Sequence, residues 1–553
     1  MALRRSFVAI ALAAVQAASL SPGGPWLPVE RRTPVTGDVD EWDFVTNADS
    51  KVKVKAYNLS VPIDHFHNDT KYEPHSDGFY NLRYWVDTSH YKEGGPVIIL
   101  HSGESDSEDR LRFLEHGIGS VLTRATSGVG IVLEHRYYGT SYPTEETDTK
   151  SYRFLTTDQA LADTAYFSKN LKVPGLEQHN LTASTAPHIL YGGSYAGGLV
   201  ALARKLYPEV FWGAISSSGV TAAIDDFWQY TEAARHFAPG PCSPTNQKLI
   251  DIIDKQLLSG DAEKENEIKS LFGLRELWND EFASVLMGTQ GALQATNWDP
   301  AEDSTTLGIF CAVISSDAAL FSSTTHLRSR VRSVVQAAGY PPEPLTSRML
   351  NFIGFIRDLV KDQKTQDSCK DKKNLRECLS MRLAEDDPRH SSTRSWLYQT
   401  CTEWGYFVNG ASTPKDRLPM ISRALGLEYS SYLCKSAFNI TTRPDVDIIN
   451  QHGGFHFSYP RLAIIDGKQD PWRAAGSHAI GLPDRKSTPS EPFELIDWGV
   501  HHWDENGLSD DAEKEPGLPP QQVVDKQQKE VDIVNHWLKE FKELRGKQDR
   551  FDL

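Results

Sequence analysis

Eleven residues constrain this 553-residue chain more than any others: Leu190-Tyr191-Gly192-Gly193-Ser194-Tyr195-Ala196-Gly197-Gly198-Leu199-Val200. An apolar strand runs into a turn crowded with glycine, and the spacing predicts a helix over Leu199 to Leu206. A serine flanked by residues with almost no side chain can sit on a strand-to-helix turn too tight for bulk. Its hydroxyl is then lifted off the end of a sheet, with a helix N-terminus beneath it. The pattern is that of a nucleophile elbow, with the small Ala196 where the general motif has its second glycine. A plain glycine turn or a phosphate-binding loop would draw on the same residues. Against the latter, the serine is central and no lysine follows where a Walker-type loop needs one.

An elbow of this kind belongs at the carboxyl end of a parallel sheet, and the surrounding sequence supplies one. Pro96 to Leu100, Gly130 to Leu133, His188 to Tyr191, Ala214 to Ser216, Leu462 to Ile465 and Phe493 to Ile496 are short, continuously apolar runs. Continuous apolarity means burial on both faces, as in a helix-covered parallel sheet. Between the fourth and fifth runs lies a long stretch of different character, with helical apolar spacing over Gln247 to Leu258, Glu263 to Phe272 and Met349 to Val360. All six cysteines (Cys242, Cys311, Cys369, Cys378, Cys401, Cys434) fall within it. The expected architecture is α/β: an α/β-hydrolase sheet with an inserted, mostly helical cap stapled by three disulfides, with Cys369 and Cys378 close enough to pair locally. The expected division is 18–225 and 441–553 for the two parts of the hydrolase domain and 226–440 for the cap. Val531, Val534, Leu538 and Phe541 line one face of a closing helix.

The compartment follows from the N-terminus. A short basic segment, an alanine-rich apolar run over Phe7 to Ala14 and the small-residue site Val15-Gln16-Ala17 predict a cleaved signal peptide over 1–17. The apolar run is too short for a bilayer core of about 30 Å, and no later run is long and apolar enough to span one. Asn58, Asn68, Asn180 and Asn439 head glycosylation sequons, and an even cysteine set suits an oxidising compartment. A zinc site on these cysteines lacks both a Cys-x-x-Cys pair and suitable histidine spacing. The net charge of −16 argues against nucleic acid or anionic membrane as partners.

A serine hydroxyl is a weak nucleophile. It needs a base, and the base needs an orienting acid, both on loops after later strands. Arg461 to Ile465 leads into Asp466-Gly467-Lys468-Gln469-Asp470-Pro471-Trp472, and Phe493 to Ile496 leads to Trp498-Gly499-Val500-His501-His502-Trp503-Asp504. Singly these read as a solvated turn and a surface histidine pair. Their order, and their place just past a strand's carboxyl end, turn them into an acid and a base.

These residues carry a family resemblance. The chain resembles the S28 serine peptidases, the group of lysosomal Pro-X carboxypeptidase, dipeptidyl peptidase II and fungal acid prolyl endopeptidases. Seven blocks match in order: Asp64-His65-Phe66 with Phe79, Arg83 and Tyr84; Glu134 to Ser141; Thr156 to Asp163; Gly192 to Gly198; Tyr398 to Glu403; Asp470-Pro471-Trp472 with Gly476; and His501 to Asp504. The resemblance implies Ser194 as nucleophile and Asp470 as acid, rather than Asp466, where asparagine is usual. It implies His501 as base, because relatives can carry cysteine at the second position, and His502 is held in reserve. It also implies the helical cap. The oxyanion is expected to meet the Tyr195 N–H and a second N–H near Gly103-Glu104. Glu134, Arg136 and Tyr137 are expected to brace one another. Glu403 and Trp404 are expected to border the substrate cleft, and Trp472 to help form an apolar proline pocket.

The implied activity is a secreted peptidase acting on proline-containing peptides, with no metal or organic cofactor required; a vacuolar or lysosomal compartment is compatible. Exo- and endopeptidase action use the same triad. The rival is a secreted carboxylic-ester hydrolase of the same fold, which the triad alone permits. A catalytically dead binding protein is disfavoured because all three triad positions hold competent residues.

Overall fold

A computed structural model describes residues 54–551 except 301, 364–368, 370, 371, 385–389 and 509–515. The signal-peptide reading of 1–17 lies outside the described residues. The six apolar runs are all strands of one eight-stranded sheet: β3 (Val97–His101), β4 (Val129–Leu133), β5 (His188–Gly193), β6 (Gly213–Ser217), β9 (Leu462–Gly467) and β10 (Phe493–Ile496). With β1 at Lys55–Pro62 and β2 at Phe79–Asp87, the order is β1-β2-β4-β3-β5-β6-β9-β10, and every pair from β4 to β10 is parallel. β1 and β2 complete the edge antiparallel and were not read from the sequence. They lie where one face meets solvent, so lysine, asparagine and serine interrupt the apolar pattern.

Alternate side chains of each central strand feed opposite layers. Ile98, Leu100, Val132, Ile189, Ile215, Ala463 and Ile465 pack beneath the helices Ile118–Thr126 and Gln521–Phe551. Val97, Ile99, Ile131, Leu133, Leu190, Ala214 and Ile464 pack beneath Thr157–Asn170 and Tyr195–Leu206. The closing helix buries Val534 and Trp537 completely. Gly213 opens β6 without a side chain because a Cβ there would stand 2.6 Å from the Trp537 ring. Two-sided burial is what made these strands visible as unbroken apolar runs.

The chain leaves the sheet after Ser217 and re-enters it at Leu462, so the expected limits 226 and 440 fall inside this excursion. Its helices include Cys242–Leu257, Ala262–Phe272, Thr306–Ser315 and Leu345–Gln363, which cover the three stretches with helical spacing. Within it β7 (Ile224–Asp226) and β8 (Gly405–Phe407) form a small parallel pair. The disulfides are Cys242–Cys311, Cys369–Cys378 and Cys401–Cys434, which uses all six cysteines. Reciprocal indole bonds tie the excursion to the sheet: Trp298 Nε1 donates to the Trp503 carbonyl (2.8 Å), and Trp503 Nε1 to that of Thr296 (2.9 Å). Asn58, Asn68, Asn180 and Asn439 are all exposed, as a glycan requires. Among the described residues no helix is long and apolar enough to cross a membrane.

The strand order reverses at β3: β4 lies on one side of it and β5 on the other. The crevice at such a switch point, past the carboxyl ends of the strands, is where open α/β sheets take their ligands. The loop Ser102–Glu104 and the glycine-rich turn after β5 both open into it.

Candidate active site

Ser194 occupies φ 59°, ψ −126°, a conformation that L residues avoid at a cost of roughly 1–3 kcal/mol. Its surroundings impose it. The Ser194 N–H donates to the Ser217 carbonyl across the β5–β6 pair (3.0 Å), and its own carbonyl accepts from Gly198 (3.2 Å) and Val220 (3.3 Å). A Cβ at Gly198 would stand 2.2 Å from the Val220 carbonyl oxygen, so only glycine lets the helix start this close to the loop that follows β6. Gly103, at φ +71°, brings its loop against Ala196; a Cβ there would lie 3.0 Å from that of Ala196. Alanine at 196 therefore fits because residue 103 is glycine.

Asp470 is fully buried. It caps the short helix Pro471–Ala475, with Oδ1 accepting the Trp472 N–H at 2.8 Å, and Oδ2 lies 2.9 Å from Nδ1 of His501. Burial opposes its charge. His501, the Ser218 hydroxyl and the Trp472 N–H outweigh burial and hold the carboxyl below its ordinary value. For His501 burial wins: the imidazole is pushed below its ordinary value although Asp470 pulls the other way.

The two histidines have different partners. His502 donates its backbone N–H to the Ser218 hydroxyl (2.9 Å), and its Nδ1 makes an ion-pair contact, without hydrogen-bond alignment, 3.0 Å from Oε2 of buried Glu505. Burial disfavours its charge, but Glu505 raises its pKa above the ordinary value. The imidazole rings are 4.4 Å apart. A Cβ on Gly193 would meet the His502 ring at 3.4 Å, so the histidine loop abuts the residue preceding Ser194.

Trp472 stands 6.4 Å from the His501 ring and is enclosed by Phe227 (5.5 Å), Tyr230 (5.5 Å) and Tyr406 (5.1 Å), with its Nε1 donating to Gln294. A cavity beside it is lined by Met287, Met381, Trp396, Tyr406 and Val408.

Other expectations are redirected. Glu403 is 3% exposed and turned inward; its Oε2 accepts the N–H and hydroxyl of Thr157 (2.8 Å each). It caps the helix Thr157–Asn170 rather than bordering a cleft, and burial pushes its pKa up to about 7. Trp404 is likewise buried, with Nε1 donating to the Thr157 hydroxyl. The Gly103 N–H is committed to Nδ1 of His101 (3.2 Å), which leaves Glu104 of the two residues named for the second oxyanion donor. Glu134 and Arg136 do not brace one another as expected: Glu134 is gripped by Arg83 and Arg136 by Asp163, each through two hydrogen bonds. The Tyr137 hydroxyl donates to the Ser151 carbonyl.

Sequence reasoning missed Ser218, whose only signal is its place at the end of the strand beside the elbow. It also missed the carboxyl of Glu104, pushed above the usual range by burial, with Oε2 buried and without a hydrogen-bond partner.

Comparison with known proteins places this geometry. The family model described as serine carboxypeptidase S28 matches residues 62–514. A "Probable extracellular serine carboxypeptidase" of Arthroderma benhamiae is 46% identical over 491 residues, 88% of this chain and 68% of that one. "Serine protease vicPa" of Bipolaris victoriae is 28% identical, covering 80% and 82%. Human "Lysosomal Pro-X carboxypeptidase" is 24% identical, covering 95% and 97%. With its α/β-hydrolase sheet and a family match running from β1 to beyond the histidine loop, the chain belongs to the serine carboxypeptidase S28 family and is a serine peptidase.

Proposed function

We propose that this protein is an exported carboxypeptidase that cleaves after proline, with Ser194 as nucleophile, His501 as general base and Asp470 as the orienting acid. The observation that carries the reading is the buried His501–Asp470 contact of 2.9 Å on the loop that abuts the elbow. Asp470 accepts a hydrogen bond from Nδ1–H of His501, which fixes the tautomer and leaves Nε2 as the acceptor for the serine proton. The hydroxyl then attacks the scissile carbonyl, the leaving amine takes the proton back from His501, and water hydrolyses the acyl-enzyme. The Tyr195 N–H, at the start of a helix where no intrahelical acceptor exists, meets the oxyanion. The Glu104 N–H, on the loop that Gly103 brings against Ala196, is the proposed second donor. Trp472 and its aromatic neighbours give a proline ring flat apolar walls next to the base. The carboxypeptidase mode is supported by the family's description and the fungal relative's name, and export by that name and the four exposed sequons.

The test is product analysis by mass spectrometry on one peptide with proline in the penultimate position and a second proline in its interior, beside a short-chain nitrophenyl ester. Release of the single C-terminal residue is expected, with the ester a poor substrate. Cleavage at the interior proline would make the enzyme an endopeptidase, and preference for the ester would favour the esterase reading.

The acid limb of kcat/KM is expected below the ordinary histidine value of about 6.5, because burial keeps His501 neutral, and so able to accept a proton, further into acid. A pH profile whose acid limb has its midpoint at or above that value would contradict this placement of the base.

A further inference from the structure

Behind the elbow runs a chain of hydrogen bonds in which each partner fixes the role of the next. His135 Nδ1 lies 2.6 Å from the Arg136 carbonyl oxygen, so that nitrogen carries the proton. Its Nε2 is therefore an acceptor, and the Tyr195 hydroxyl donates to it at 3.0 Å. The same hydroxyl oxygen accepts Nε2–H of Gln399 at 2.7 Å, and Gln399 Oε1 accepts the hydroxyl proton of Tyr138. All four residues are at most 1% exposed. Three belong to the hydrolase sheet and its first loops. Gln399 ends the excursion helix Ser392–Gln399, just before a π turn over Thr400–Trp404, and that segment also sets Trp396 and Trp404 edge-on to the Tyr195 ring, each at 5.2 Å.

The anchoring matters because of where Tyr195 sits. The peptide that joins it to Ser194 follows a strained residue, and the hydrogen bonds on the carbonyl side of that strain are long, at 3.2 and 3.3 Å. Rotation of this unit would relieve the strain and swing the Tyr195 N–H. The phenol, held at its hydroxyl by His135 and Gln399 and packed against Trp396 and Trp404, opposes that rotation.

We propose that Gln399 is a positioning residue through which the cap aims the Tyr195 N–H at the developing oxyanion. This rests on the reading of Ser194 and Tyr195 given above, and it makes the cap part of transition-state stabilisation rather than only a cover. Burial pushes the His135 pKa to about 4, so the direction of the chain survives in mildly acidic surroundings.

The test pairs Gln399→Met, which keeps length and loses both hydrogen-bonding roles, with Tyr195→Phe. Losing an oxyanion donor outright costs roughly 10²–10³ in rate, so misaiming one is expected to lower kcat about 10–100-fold while KM stays within about threefold. Affinity for a peptide boronic acid, whose boron-bound oxygen occupies the oxyanion position, is expected to fall in step with kcat. The double variant is expected to be no worse than the poorer single one, because both break the same chain. If Gln399→Met does not fold, Gln399→Glu keeps the acceptor for Tyr138, removes the donor to Tyr195, and should show the same fall in kcat. The proposal is overturned by kcat within twofold of wild type in a folded variant, by a rise in KM alone, by additive losses, or by unchanged boronate affinity. Failure of the underlying reading shows differently, as activity retained by Ser194→Ala.

Discussion

Replacing Ser194 by alanine is expected to lower kcat on a proline-containing peptide by on the order of 10⁶-fold, leaving only background hydrolysis. The substitution removes one oxygen from a position that is strained for any residue bearing a side chain, so alanine inherits the same backbone cost and fold stability should change little. KM is expected to hold, since the Trp472 enclosure and the proposed donors at Tyr195 and Glu104 are untouched by the substitution. The checks are steady-state kinetics beside a thermal melt of the same preparation. A variant that melts normally and keeps more than a few per cent of wild-type activity would remove Ser194 from the chemistry.

The second large effect separates two adjacent histidines. His501→Gln is expected to cost 10⁴-fold or more in kcat, the scale typical of triad disruption, and His502→Gln far less. Burial and partners set the difference. Nδ1 of His501 meets a fully buried aspartate whose other oxygen is already fixed by the Trp472 N–H, whereas Nδ1 of His502 meets Glu505. The raised pKa of His502 also makes it the poorer base in acid, because it is the first of the two to be protonated as pH falls. Glutamine at 502 keeps the backbone N–H that Ser218 accepts, so the loop should survive. If His502→Gln is the more damaging while both variants fold equally well, the two roles are exchanged.

The sheet was legible in the sequence wherever both faces are covered. β3, β4, β5, β6 and β9 are buried at every position, so composition alone marks them. β1 and β2 escaped because alternating exposure interleaves Asn58, Ser60 and Asn81 with apolar residues, and a short window reads that as loop. The elbow was legible because steric crowding leaves few residues to choose from. By position the sequence offered acids at Asp466 and Asp470 and the histidine pair His501-His502 past consecutive strand ends, and only the family resemblance chose Asp470 and His501 among them. Their hydrogen-bonded neighbours were not legible. Ser218 and Gln399 are common residues that gain meaning only from partners far away in sequence, and Gln399 reaches Tyr195 across 204 positions. Glu403 was misplaced for the same reason. A glutamate in a cap can face substrate or cap a helix N-terminus, and only the fold shows Thr157 waiting for it.

The most direct test of the account is labelling of the native protein by a fluorophosphonate, followed by peptide mapping in the presence and absence of a competing proline peptide. The account predicts one stoichiometric adduct, on the peptide that contains Ser194, suppressed by the competitor. An adduct on a different residue, or none in a preparation that hydrolyses the peptide, would contradict it.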